Sequence, residues 1–222
     1  MKHLVLTLAL LPTLVLAHNI KESTQVPLVN IGDKGELVLK DKEVSYQPWQ
    51  SKVLTGKVFL IQHIAGRSSA KELNAPMIEA IKAAKLPHDK YQTVTIINSN
   101  DAIWGTSGFV KSSAEDSKKE FPWSAMVLDA KGMARNAWDL APESSAIIVL
   151  DKEGKVLFAK DGQLAATEIT KVMGLIQSHL RIREKGADGA VSIRVYGSYH
   201  VDNLDVAAGL VVDATGAGTA SV

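Results

Sequence analysis

The chain has 222 residues, 46% of them hydrophobic and 22% charged, and its 25 Lys and Arg face 24 Asp and Glu. So even a balance leaves no basic footprint of the kind that phosphate backbones or anionic membranes select, which argues against nucleic-acid binding. There is no cysteine, so every redox mechanism that needs a protein thiol is excluded, thiol-disulfide exchange and peroxidase chemistry included.

The N-terminus reads as a secretory leader. Lys2 and His3 precede an apolar run from Leu4 to Leu16, and Val15-Leu16-Ala17 stands before the polar His18. A small residue at the end of such a run is a signal-peptidase site, so cleavage is expected after Ala17. The run is shorter than the roughly 20 residues that span a bilayer and is broken by Pro12. An exported protein without a membrane anchor is expected, with residues 18–185 as its domain.

Apolar stretches flank Asp33-Lys34-Gly35, a turn signal that predicts a β-hairpin over Val26 to Leu39. "KVFLIQHIA" follows Gly56 and has the continuous apolarity of a central strand buried on both faces. From Ser69 to Lys85, Leu73, Met77, Ile78, Ile81 and Ala84 recur at helical spacing, and Pro87 ends the pattern. "YQTVTIINSN" at 91–100 predicts a second buried strand. A short solvated helix is expected over Ser112 to Glu120. A strand is expected within "WSAMVLDAKGMARNAW", and a hairpin around Asp151-Lys152-Glu153-Gly154. The last helix carries Ile169, Val172, Met173, Ile176 and Leu180 on one side.

This order mixes βαβ crossovers with a closing hairpin and helix, which is the layout of an α/β domain with a mixed sheet covered by helices on both faces. After Lys185 the composition shifts to Gly, Ala and Val without lysine or glutamate. Residues 186–222 are therefore set apart as an extension, either disordered or a docked hairpin.

The segment "LTGKVFLIQHIAGRSSAKELNAP" resembles the first strand and helix of thioredoxin-like proteins of the peroxiredoxin and TlpA type. In that register Ser68 stands in place of the first cysteine, Lys71 in place of the second, and Ser145 in place of the cis-proline. "QHIAGRSSAKE", "KLPHDKYQT", "NDAIWGTSGFV", "ESSAIIVLDKEGKV" and "AKDG" together resemble the YtfJ family of bacterial periplasmic proteins, over most of residues 20 to 180. The resemblance implies a thioredoxin-like fold and a periplasmic location. It supplies no established reaction, and the extension lies outside it.

Several readings meet at the strand-to-helix junction. Ser69 and Glu72 have the Ser-x-x-Glu spacing of a capping box. Ser68 and Lys71 form Ser-x-x-Lys, the spacing of serine β-lactamases, but the Ser-Asp-Asn and Lys-Thr-Gly elements of those enzymes are missing. Arg67 and Lys71 at a helix start offer an anion site. His63, inside an apolar strand, is expected to be a hydrogen-bonded core histidine.

The remaining histidines have no metal-ligand spacing, so neither metal nor cofactor is expected. The tryptophans are expected to pack in the core or at edges, although "IWGTSGF" at 103–109 has the make-up of a binding loop. Two functional hypotheses follow. One is a periplasmic binding or adaptor protein holding an extended peptide or small anionic ligand at Arg67, Ser68, Lys71, Ser144 and Ser145. The other is a hydrolase- or transferase-like enzyme using Ser68 and Lys71.

Overall fold

In this computed structural model, residues 18–180 are described together with short strands between residues 182 and 220. The expected leader over residues 1–17, with its cleavage point, lies outside the described residues. So do residues 186–190 and the links between the later strands.

The core is a seven-stranded sheet of order β2-β1-β5-β4-β3-β6-β7. Its centre is β3 (Val58–Ala65), the "VFLIQHIA" run, buried along its whole length as that continuous apolarity predicts. β4 (Tyr91–Asn98) pairs with it in parallel, and β5 (Ala125–Asp129) extends the parallel set. On the other side β6 (Ser145–Leu150) and β7 (Val156–Asp161) form the expected antiparallel hairpin. The order β4-β3-β6-β7, with its parallel pair and returning hairpin, is the thioredoxin-like arrangement.

Helices cover both faces unequally. Alternation along β3 directs Val58 and Leu60 to one face, where they pack with Met77 and Ile81 of α2 (Ala75–Ala84) and with Val172 and Ile176 of α5 (Ala166–Leu180). Ala114 of α3 (Ser107–Glu120) lies on that face against Ile64 and Leu128. Phe59 and Ile61 point to the opposite face, into a core with Trp138 of α4 (Met133–Trp138) and with Ile20 and Val29 of the incoming chain.

The N-terminal hairpin is present, but its turn is not at Asp33-Lys34-Gly35. β1 (Asn30–Lys40) runs through that site and pairs with β2 (Glu43–Gln50) around Asp41-Lys42, both of which have positive φ as a two-residue hairpin loop requires. Gly35 does adopt positive φ, in a bulge where the register shifts between Ile31 and Glu36. A Cβ there would stand 2.2 Å from the Gln47 carbonyl oxygen. The glycine signal was genuine, and its purpose was different.

The helix expected over 69–85 is two helices, α1 (Ser68–Leu73) and α2, broken at Asn74. Pro76 lacks the N–H that would continue α1, so the chain restarts with proline in the first turn of α2. The Asn74 side chain is buried at the break. Its Nδ2 donates to Ser145 Oγ and to the Gly162 carbonyl, both at 3.0 Å, and its Oδ1 accepts from Leu164 N at 3.0 Å. α3 also starts earlier than expected, at Ser107 rather than Ser112, and takes in part of the aromatic loop.

Three short antiparallel pairs follow α5. They are β8 (Ile182–Lys185) with β9 (Val191–Arg194), β10 (Tyr199–Val201) with β11 (Leu204–Val206), and β12 (Leu210–Val212) with β13 (Gly218–Ala220). Each forms a two-stranded sheet of its own.

Asn74→Ala leaves the Leu164 N–H, the Ser145 hydroxyl and the Gly162 carbonyl without their buried partner. A loss of about 3 kcal/mol of stability is expected, since each unmet buried polar group costs about 1–3 kcal/mol. Urea unfolding measures it, and a midpoint unchanged from the parent would show that this tie carries no weight.

Candidate functional site

Three chain segments meet beyond the C-terminal ends of β3 and β4. They are the start of α1, the loop that follows β4, and the turn before β6. Arg67 joins them. Its Nε donates to the Asp101 carbonyl at 2.9 Å, and its guanidinium lies 2.8 Å from Glu143 Oε1 and 3.8 Å from Asp101 Oδ1. Asp101 Oδ2 in turn accepts from Glu143 N at 2.5 Å. Asp101 and Glu143 were not singled out in the sequence, because nothing in their local spacing announces a partner so distant in the chain.

This arrangement bears on two readings of the junction. Arg67 faces two carboxylates, Asp101 and Glu143, across the rim. Ser69 is not a cap: the N-cap of α1 is Arg67, without a side-chain cap bond, and Ser69 lies one residue inside the helix. Arg67 fixes the entry to α1 from outside, by ion pairing across the rim.

Ser68, Ser69 and Lys71 are exposed. Among the described residues no hydrogen bond joins Ser68 Oγ to Lys71 Nζ. Without an adjacent base a helix start cannot ionise a serine hydroxyl near neutral pH as it ionises a thiol. Ser145 is fully buried, with its hydroxyl taken by Asn74, and the Ser144 carbonyl accepts from Ala65 N at 3.0 Å. Ser145 therefore serves the fold, whereas Glu143 shortly before it and the α1 start are open at the surface.

Beside these polar residues the rim also offers large apolar side chains to solvent. Trp104 is 98% exposed, Phe109 78% and Ile103 57%. Ile103 and Trp104 lie on a firm turn, since Thr106 donates to the Ile103 carbonyl through both its N–H, at 2.9 Å, and its Oγ1, at 2.6 Å, and Phe109 follows in the first turn of α3. The segment packs closely on the junction: a Cβ at Gly66 would lie 3.1 Å from Ala102 Cβ and 3.2 Å from Val110 Cγ2. The tryptophans divide. Trp49 and Trp138 are core residues, Trp138 donating its Nε1–H to the Pro27 carbonyl at 2.8 Å, whereas Trp104 and Trp123 are exposed.

His63 is a core residue, as expected, but its Nε2 is buried without a hydrogen-bond partner. Burial pushes the imidazole down to about 4, Asp101 opposing the shift and Arg135 adding to it. Among the described residues no group of three or more His, Asp or Glu is placed to hold a metal ion. No helix among them is long and apolar enough to cross a membrane.

Residues 20–179 match the profile of a family described as "Bacterial protein of unknown function (YtfJ_HI0045)". The chain is 53% identical over 180 residues to the Escherichia coli protein "Uncharacterized protein YtfJ", covering 81% of this chain and 98% of that one. It is 49% identical over 160 residues to an uncharacterized protein of Haemophilus influenzae, covering 72% and 87%. Among solved structures it is similar to the pneumococcal exposed lipoprotein thioredoxin from Streptococcus pneumoniae. That match has 16% identity and a TM-score of 0.42, covering 63% of this chain and 97% of that one.

The His63 shift carries a pH dependence. Between about 4 and the ordinary value near 6.5 the unfolded chain binds a proton that the folded one does not. Stability is therefore complete above pH 6.5 and falls as the pH drops toward 4, by roughly 3 kcal/mol in all. In His63→Leu this part of the slope is expected to vanish in urea unfolding at pH 6.5 and 4.5. An equal slope in both proteins would overturn the assignment.

Proposed function

From the premise that the chain belongs to the YtfJ_HI0045 family of bacterial proteins of unknown function, we propose that it is a periplasmic binding or adaptor protein that holds an extended apolar peptide. The peptide lies on the rim beside the α1 start. The observation that carries this reading is the exposure of Ile103 and Trp104 on a hydrogen-bonded turn and of Phe109 in the first turn of the helix that follows. Aromatic side chains provide much contact area for little loss of conformational freedom, which is why they dominate binding hot spots. Folding alone gives no reason to leave such residues uncovered.

The periplasmic location is part of the proposal and is supported by the leader-like N-terminus. A chain working there without cysteine needs no partner to set its redox state. The hydrolase- or transferase-like reading on Ser68 and Lys71 gains no support from exposed side chains that no hydrogen bond joins. A small anionic ligand at Arg67 is disfavoured by the carboxylates already paired with it.

Titrating the protein with a permanently unfolded, carboxymethylated polypeptide while following tryptophan fluorescence tests the proposal. Trp104→Ala and Phe109→Ser are each expected to weaken binding about tenfold or more, as for hot-spot residues. Ser68→Ala is expected to leave binding within about twofold, because its hydroxyl contributes no anchor. If both aromatic variants bind as the parent does, the rim is not the site.

A further inference from the structure

We propose that β2 is an interface through which two copies of this chain join their sheets, pairing antiparallel and edge to edge about Ser45. The proposal rests on the sheet edge and is independent of the peptide reading.

β2 ends the seven-stranded sheet, and its hydrogen-bonding phase follows from the hairpin. The two-residue loop at Asp41-Lys42 makes Lys40 and Glu43 a hydrogen-bonded pair, and the same phase recurs at Val38 with Ser45 and at Glu36 with Gln47. Val44 and Tyr46, which lie between, therefore turn their N–H and C=O groups away from β1. Among the described residues no strand takes these groups up. The side chains of both are half-buried against the cluster of Leu37, Ile64 and Leu128, so apolar surface is left beside the open backbone.

The other edge of the sheet is treated differently. Along the start of β7 the incoming chain closes the ladder, Ser23 N donating to the Val156 carbonyl and Val156 N to the Thr24 carbonyl, both at 2.8 Å, with Gln25 bridged to Lys155. On β2 the guard is Pro48, the next outward position, which has no N–H to offer. The proline stops pairing at one end and the turn at Asp41-Lys42 stops it at the other. Val44 to Tyr46 is the stretch left open between them.

That stretch is complementary to itself. With Ser45 opposite Ser45 of a second copy, each Val44 exchanges both backbone bonds with Tyr46 of the other copy, and a two-fold axis closes the pair. A shift one way sets Val44 opposite Pro48 and leaves its carbonyl without a donor. A shift the other way sets Tyr46 opposite Lys42, whose positive φ of 68° takes it out of extended backbone. The side chains suit the same register: an aromatic ring faces a β-branched residue, Glu43 faces Gln47, and no like charges stand opposite. The charges beside the edge are matched within each copy, since Tyr46 donates to Glu115 Oε1 at 2.7 Å, Lys111 lies 3.7 Å from that oxygen, and Lys34 Nζ lies 5.4 Å from the centre of the Tyr46 ring.

So short a ladder buries little area, and a reversible dimer is expected. Sedimentation velocity of the full chain at rising concentration should show the monomer passing to a dimer. Because the chain has no cysteine, single cysteines then report the register. Ser45→Cys places two Cα atoms about 4.5 Å apart in a non-hydrogen-bonded pair, within disulfide reach, whereas the two copies of Gln47→Cys stand about 14 Å apart along the strands. On mild oxidation Ser45→Cys is expected to cross-link at least tenfold faster. Ser45→Lys, at an exposed position, sets two cations face to face and is expected to raise the dimerisation midpoint about tenfold or more with the melting temperature unchanged. A monomer at every concentration up to about 1 mM, equal cross-linking of the two cysteines, or a dimer that Ser45→Lys does not weaken would overturn the interface.

Discussion

The fold turns on one buried amide. Asn74 sits where α1 gives way to α2 and reaches across to the β6–β7 side, where it meets Ser145, Gly162 and Leu164. Each contact lies more than seventy residues away in the chain, so the network forms only when both halves of the βαβ plus hairpin layout are in place. A buried side chain with all its polar atoms matched is specific in a way that apolar packing is not, because a shift of one residue would leave several groups unmet at once. The α1 start itself follows directly on β3, at the C-terminal end of the central strands.

That end of the sheet is a strand-to-helix junction without a cysteine. In a thioredoxin-like enzyme the helix start stabilises a thiolate, a use that depends on an acid weak enough to be tuned and strong enough to ionise. Serine is not such an acid. What occupies the space instead is a structural ion pair, with Arg67 drawing the loop after β4 and the turn before β6 onto the helix start. A rim held by charge can present apolar side chains outward without collapsing onto them, and Trp104 and Phe109 stand out in that way.

The elements that stabilise themselves by local pattern were legible in the sequence. β3 and β4 announce themselves by continuous apolarity, the β6–β7 hairpin by its Asp-x-x-Gly turn, and α5 by its stripe. What could not be read locally depended on partners far off. Gly35 signals a positive φ, but whether that means a turn or a bulge is decided by Gln47 on the neighbouring strand. Ser69 and Glu72 have capping-box spacing, yet Arg67 takes the cap position because its ion pairs fix where the helix begins. Arg67, Ser68 and Lys71 were found as neighbours in sequence, and the structure separates their roles. Ser144 and Ser145 were placed at the right turn, but burial gives Ser145 to Asn74. The aromatic loop is legible from its composition, whereas the packing of Ala102 and Val110 on Gly66 that seats it is not.

The two faces of the central strands meet at their C-terminal ends through Asp101. Its backbone and carboxylate anchor the rim through Arg67 and Glu143, while the same carboxylate acts on His63 within the α4 face. A change in charge at His63 therefore acts on a group that also positions the loop carrying Ile103 and Trp104. The parallel register of β3 on β4, with His63 opposite Ile96 and Ala65 opposite Asn98, is what brings the two environments to one residue. A one-residue slip would turn His63 to the α2 face and remove it from Asp101 and Arg135 together, because successive side chains on a strand alternate between faces. The continuous apolar run of β3 does not forbid such a slip by hydrophobicity alone, since both its faces are buried. His63, which meets Asp101 and Arg135 only in the native register, is one polar residue that tells the two registers apart.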